Sequence, residues 1–274
     1  MAVTNGWGQA AVNNTIDYGK GKTTATNNWG QIYDSSASGD TSLGTAAAFS
    51  NTKSINLDGV DDYVDTNSTY SQLDGLKIAT FSLWVKPASI SQQIFLGLAH
   101  STSVMSHLIL YASGLLRMTF SSGGYYINAN TTAITAGQWN HIMVCFDKNQ
   151  SSSSLRGRIF VNGVDETASG NLNNVAYPTA NTPLRIGAYP TGSNNANAII
   201  DEVAIWAGTD LRNDVSTIYN SGAPNNLNDN GLTAPTTWYR FGDGDTSPNL
   251  TDNGSGGDNA TMYNVSTFST DVPT

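Results

Sequence analysis

A chain of 274 residues with a formal net charge of −9 and only 12 scattered Lys and Arg lacks the basic surface that a nucleic-acid backbone demands. Its hydrophobic content of 39% is enough for a globular core, but no apolar run approaches the roughly 20 residues of a membrane-spanning helix, so insertion in a membrane is not expected. The acids are 19 Asp against two Glu, Glu166 and Glu202, and this bias favours turns and strands over helices.

Residues 1–48 stand apart. Trp7-Gly8-Gln9, Tyr18-Gly19-Lys20 and Trp29-Gly30-Gln31 recur at eleven-residue spacing between Asn- and Thr-rich spacers. Two readings are open: a loosely extended leader, or an assembly arm whose Trp7, Tyr18 and Trp29 fill pockets on a neighbour. An ordered arm this poor in apolar residues needs a partner to offset its ordering entropy. The N-terminus has neither a basic segment nor an apolar stretch, so no secretory signal is expected.

The second domain, 49–274, reads as a series of short strands. Lys53 to Leu57 leads into an Asp58-Gly59 turn and a short strand at Tyr63 and Val64. Ile78 to Pro87 is firmer, with Phe81, Leu83 and Val85 on one face. QIFLGLA, HLILYA, GLLRMTF and GYYIN follow, the middle two as a hairpin turning at Ala112 to Gly114. WNHIMVCFDK, from Trp139, pairs with the strand after Leu155, and Asn162-Gly163 makes a tight turn. Cys145 lies in the first of these and reads as a buried thiol; as the only cysteine it excludes an intrachain disulfide.

Ile199 to Trp206 is the last firm strand, with Asp201, Val203 and Ile205 expected on one face and Ile200, Glu202, Ala204 and Trp206 on the other. A short helix follows, capped by Asp210, carrying Leu211, Val215, Ile218 and Tyr219 on one face and stopping at Gly222. Trp238 to Phe241 and Ala260 to Val265 are late strands. A dozen or so short strands with one helix predict an all-β, two-sheet sandwich.

The order of several motifs carries a resemblance. Ser54 to Val64, Phe81-Ser82-Leu83-Trp84-Val85-Lys86-Pro87, Trp139 to Val144, Val161-Asn162-Gly163, Leu184 to Gly187, and Ile200 to Trp206 resemble, in sequence order, the landmarks of concanavalin-like, laminin-G-type domains, which implies that the sandwich is a jelly roll. The leader is similar to the opening of structural proteins of marine tailed phages, cyanophages in particular. The two likenesses imply a decorating protein on a virion surface, in capsid, tail or fibre. The arm would hold it to other virion proteins or in a homo-oligomer, and host lysis would release it without a signal. The alternative is a carbohydrate-binding or host-adhesion module recognising a host-surface glycan.

The chemistry weighs against an enzyme. Glu166 and Glu202 are 36 residues apart on separate elements and do not make the carboxylate pair of a glycosidase. No nucleophile elbow or phosphate loop is present, and His100, His107 and His141 give no zinc pattern. No catalytic residue is therefore assigned. Calcium is the one metal the family resemblance implies, with Asp58, Asp61, Asp62 and Asp201 as candidate ligands and Asp243 and Asp245 as a second set. The competing reading makes Asp58 a turn former and Asp201 an organiser of loop amides. Tyr125, Tyr126, Tyr189 and Tyr239 are candidate sugar-stacking rings, each weighed against ordinary sheet packing.

Overall fold

The structure, a computed structural model, describes residues 24–26, 32–34, 49–101, 105–120, 124–174 and 176–274. It divides into a unit of residues 1–49 and a unit of residues 50–274. In the first, β1 (Thr24–Thr26) and β2 (Ile32–Asp34) form an antiparallel ribbon. Trp7, Tyr18 and Trp29 lie outside the described residues.

The second unit is an all-β sandwich. One sheet contains β3 (Ile55–Asp58), β5 (Ile78–Pro87), β10 (Asn140–Asp147), β11 (Gly157–Val161), β12 (Val164–Asp165), β15 (Asn197–Ala207) and β16 (Thr237–Tyr239). The other runs β13 (Thr167–Asn171), β9 (Tyr126–Ala129), β8 (Leu116–Thr119), β7 (Met105–Leu110), β6 (Gln93–Ala99), β14 (Arg185–Ile186), β4 (Tyr63–Asp65), β18 (Ala260–Tyr263) and β17 (Asn249–Leu250), in that spatial order. All described pairings are antiparallel, as the expected jelly roll requires.

The core lies between the sheets and follows strand alternation. Phe81, Leu83 and Val85 of β5 share it with Ile142, Val144 and Phe146 of β10, and the facing sheet adds Leu96, Leu108, Met118 and Ile127. Fully burying one such side chain contributes about 1.5–3 kcal/mol, which is why alternation on both sheets fixes the register. A second apolar layer covers the other face of the seven-stranded sheet. There Trp84, Met143, Trp206 and Trp238 are buried, along with Leu211, Ile218 and Leu227 from the chain that crosses above them.

The helix in that layer is shorter than its pattern predicts. α1 spans only Val215–Tyr219, and a single 3-10 turn, Asn220–Gly222, ends it with left-handed residues at Asn220 and Ser221. Asp210 does not cap it: its carboxylate receives the Arg212 backbone N–H and Nε instead. Leu211 is buried ahead of the helix rather than within it. Tyr219 anchors α1 by lying 5.9 Å from the Trp84 ring and 5.7 Å from the His141 ring.

Alternation also breaks within β15. Asp201 pairs with Trp84 and Ala204 with Ser82, so three steps on β15 span two on β5. The extra residue is Glu202, whose φ of 50° is left-handed, and the Asp201 Oδ1 atom receives its N–H at 2.9 Å. This is a β-bulge. It brings Ile200, Val203 and Ile205 into the central core together and turns Asp201 and Glu202 away from it.

Candidate functional site

The outer face of the nine-stranded sheet is where polar and aromatic side chains collect. Register aligns Tyr126 with Thr119, Thr119 with His107, His107 with Gly97, Gly97 with Arg185, Arg185 with Asp65 and Asp65 with Thr261. The alternating neighbours Ile127, Met118, Leu108, Leu96, Ile186 and Val64 point into the core, so this row faces outward.

Gly97 divides the row. A Cβ there would stand 2.7 Å from the Ala188 carbonyl oxygen and 3.0 Å from Pro190 Cδ, so the missing side chain lets the loop after β14 lie directly on the sheet. The loop brings Tyr189 to His107, with ring centroids 5.0 Å apart and the hydroxyl 3.3 Å from Nε2. Burial, and next the Arg117 charge, push the His107 imidazole down to about 4, so it is neutral at physiological pH.

On one side of the loop, Arg117 lies 4.5 Å above the Tyr126 ring and 5.5 Å from that of Tyr111. Its Nε donates to Asn128 Oδ1 at 2.7 Å, and Asn128 donates to Ser169 Oγ at 2.9 Å. On the other side, Arg185 sits 4.3 Å over Tyr63 and pairs with Asp65 at 3.1 Å, while Tyr263 stacks on Tyr63 at 4.8 Å.

Tyr126 and Tyr189 thus fall on this face. Tyr125 does not: it packs against the core, because neighbours in an extended chain point to opposite sides. Tyr239 is fully buried, with its hydroxyl donating to the Asp258 carbonyl. Sequence reasoning missed Arg117, His107, Arg185, Tyr63 and Tyr263. Their period-two placement on strands was visible, but only the sheet order puts them side by side.

Beside the Tyr63 end lies the turn between β3 and β4. Ligand oxygens of Asp58, Asp61 and Asp62 are within 4.8 Å of one another. Asp62 Oδ2 accepts the Asp58 N–H and Asp58 Oδ1 accepts the Val60 N–H. Asn264, next to Tyr263, donates to the Asp61 carbonyl. Among the described residues none of the three carboxylates has a cationic partner. Burial, followed by the charges of Asp58 and Asp61, raises the Asp62 carboxyl. An all-oxygen, uncompensated donor set fits a hard dication.

Asp201 is not part of this set. It is fully buried at the bulge, accepting from Asn51 Nδ2 and Glu202 N–H, so it organises backbone rather than presenting a ligand. Asp243 and Asp245 likewise accept backbone N–H groups, from Thr52 and Lys53 and from Gly242 and Thr251. Glu202 is buried and bonded to Trp238 and Arg240, whereas Glu166 accepts from Asn130 in an exposed contact. The two glutamates do not form a catalytic pair.

Residues 58–216, more than half of the chain, match the profile of the Concanavalin A-like lectin/glucanases superfamily. The chain belongs to this superfamily. No curated protein matches it. Among solved structures, a "putative carbohydrate binding protein" from Bacteroides ovatus is similar at a TM-score of 0.60 and 15% identity, over 92% of this chain and 69% of that one. Two further likenesses are weaker. The CBM40 of Ruminococcus gnavus IT-sialidase, bound to alpha2,3 sialyllactose, gives a TM-score of 0.48 at 13% identity over 61% of this chain and 96% of that one. A heptameric SAP-like pentraxin from Limulus polyphemus gives 0.45 at 17% identity, over 62% and 82%. The family match and the Bacteroides ovatus likeness agree on the fold, which is the concanavalin-like, laminin-G-type sandwich expected from the motifs.

Proposed function

We propose that the protein is a carbohydrate-binding, lectin-type module and that the outer face of the nine-stranded sheet is its binding surface. The observation that carries this reading is the register row Tyr126, Thr119, His107, Gly97, Arg185, Asp65 and Thr261 across seven strands, flanked on the same face by Arg117, Tyr189, Tyr63 and Tyr263. Saccharide recognition calls for that mixture: apolar ring edges for the C–H faces of a sugar, and fixed donors and acceptors for its hydroxyls. The fold shared with the Bacteroides ovatus protein supports it.

Calcium completes the proposal. Asp58, Asp61 and Asp62 would hold the ion at the rim of the same face, beside Tyr63 and Tyr263, where it would neutralise the crowded carboxylates and fix the β3–β4 turn.

The test is a glycan array followed by titration of the best ligand against Tyr126→Ala and Tyr189→Ala. Each change is expected to weaken binding by roughly tenfold, the order of one aromatic or cation–π contact. Ligands that bind both variants as tightly as the native chain would locate the site elsewhere. The virion-surface and homo-oligomer expectations rest on the leader around Trp7, Tyr18 and Trp29, and no contact among the described residues of the sandwich bears on them.

A further inference from the structure

Each tyrosine on the outer face of the nine-stranded sheet already has a ring partner. Arg117 covers Tyr126, Arg185 and Tyr263 hold Tyr63, and His107 meets Tyr189 edge-on. One face of Tyr126 and one of Tyr63, each a platform on which a neutral pyranose could stack, is therefore already taken by a cation. What the face presents instead is the free edge of a guanidinium.

Arg117 is the distinctive group. Its guanidinium carbon lies over the Tyr126 ring, with Tyr111 also near, and its Nε is committed to Asn128, which Ser169 holds in turn. Among the described residues its two Nη groups have no hydrogen-bond partner, and no carboxylate pairs with it. Arg185 has no such freedom, since its Nε is paired with Asp65 and its Nη1 donates to the Tyr189 carbonyl. In a protein of net charge −9, with 21 acids against 12 cations, Arg117 is thus a positioned cation that no carboxylate among the described residues neutralises.

From this geometry we infer that the module selects anionic glycans, and that Arg117 binds a sugar carboxylate or sulfate ester through the fork of its two Nη groups. The inference rests on the glycan reading of this face and narrows it. A planar guanidinium held by rings and by its Nε has little rotamer freedom left to lose, and it offers two parallel N–H donors matched to an oxyanion. The neutral His107 alongside adds a polar contact without competing for the anion. The negative charge of the rest of the molecule opposes indiscriminate polyanion binding, so affinity must come from this fitted contact.

The full chain is titrated calorimetrically with polygalacturonate, a sulfated galactan and a neutral galactan, in about 0.15 M salt, where charge steering beyond roughly 8 Å is screened, and with EDTA present. At least one anionic polymer is expected to bind tenfold or more tighter than the neutral one, and which of the two does so identifies the group. Arg117→Gln is expected to lose that preference. Arg117→Lys, which keeps the charge without the fork, should recover only part of it. Circular dichroism and the melting temperature confirm that both variants fold, as expected for a half-buried side chain on a strand face. Equal affinity for neutral and anionic galactans, or full anion binding by Arg117→Gln, would overturn the inference while leaving the glycan reading intact. Failure of all three polymers, together with a silent glycan array, would overturn the glycan reading itself.

Discussion

Burying Asp201 and Glu202 side by side carries a free-energy cost that hydrogen bonds only partly offset. Glu202 accepts from Trp238 Nε1 at 2.6 Å and from Arg240 Nε at 3.3 Å, yet desolvation still pushes its carboxyl from the ordinary 4.5 up to about 7, against the pull of Arg240. Desolvation, and then the Glu202 charge, drives Asp201 in the same direction. A carboxyl whose folded value is raised stabilises the fold fully below its unfolded value and loses that contribution as pH climbs through the folded one. Stability should therefore fall between about pH 4.5 and 7. Glu202→Gln keeps an acceptor for Trp238 but removes the titration, so its melting temperature should depend less on pH across this window. Each kcal/mol removed lowers the melting temperature of a domain this size by about 2–4 °C. Thermal unfolding of both proteins at pH 5 and pH 8 measures the difference, and parallel curves would show that Glu202 does not titrate there.

At the level of elements, the loop after β14 sets the shape of the binding face because Gly97 lets it settle on the sheet. Gly97→Val should lift it, since even the first carbon would stand 2.7 Å from the Ala188 carbonyl, and Tyr189 would leave His107. Overpacking of this kind costs about 1–3 kcal/mol, and glycan affinity should fall several-fold in the same variant. A variant that melts lower but binds normally would mean the loop is not part of the site. The strands were largely legible: Ile78–Pro87 and Gln93–Ala99 follow their apolar runs, and the Asn162-Gly163 turn has both residues left-handed. β15 was legible as a strand but not in its facing, because a strictly alternating pattern gives no sign that Asp201 will hold Glu202 in a bulge. The helix was overread for a related reason. Leu211 is apolar because the crossing chain packs it onto the seven-stranded sheet, where its N–H bonds Thr80, and its spacing from Val215 and Ile218 mimics a helical face.

Across the whole molecule, order of motifs was the readable quantity and convergence of side chains was not. Trp139, the Asn162-Gly163 turn and the Asp201 strand named the sandwich, whereas Arg117, His107, Arg185 and Tyr63 belong to β8, β7, β14 and β4 and meet only through the jelly-roll strand order. The same wiring ties the start of the sandwich to its far end. Asn51 bonds Asp201, Thr52 bonds Asp243, and Ser54 exchanges backbone hydrogen bonds with Ser269. A chain starting at residue 54 should therefore melt lower than one starting at residue 49, by several degrees if the two carboxylate contacts contribute about 1.5–3 kcal/mol each. Equal melting temperatures would make those contacts energetically idle. The calcium proposal is also read best from global stability, because an ion that binds only the folded chain stabilises it by mass action. At about 100 times its dissociation constant the gain is roughly 2.7 kcal/mol, or about 5–10 °C for a domain of this size. Asp61→Asn is the discriminating variant, since among the described residues no hydrogen bond to the Asp61 carboxylate holds the turn, while Asp58 and Asp62 both accept backbone N–H groups. Without calcium it should melt at or slightly above the native chain, relieved of one like charge in the cluster. With calcium the native chain should gain stability and the variant should gain far less. An equal gain in both would place the ion elsewhere, and no gain in either would leave the three aspartates as a turn with crowded carboxylates and nothing more.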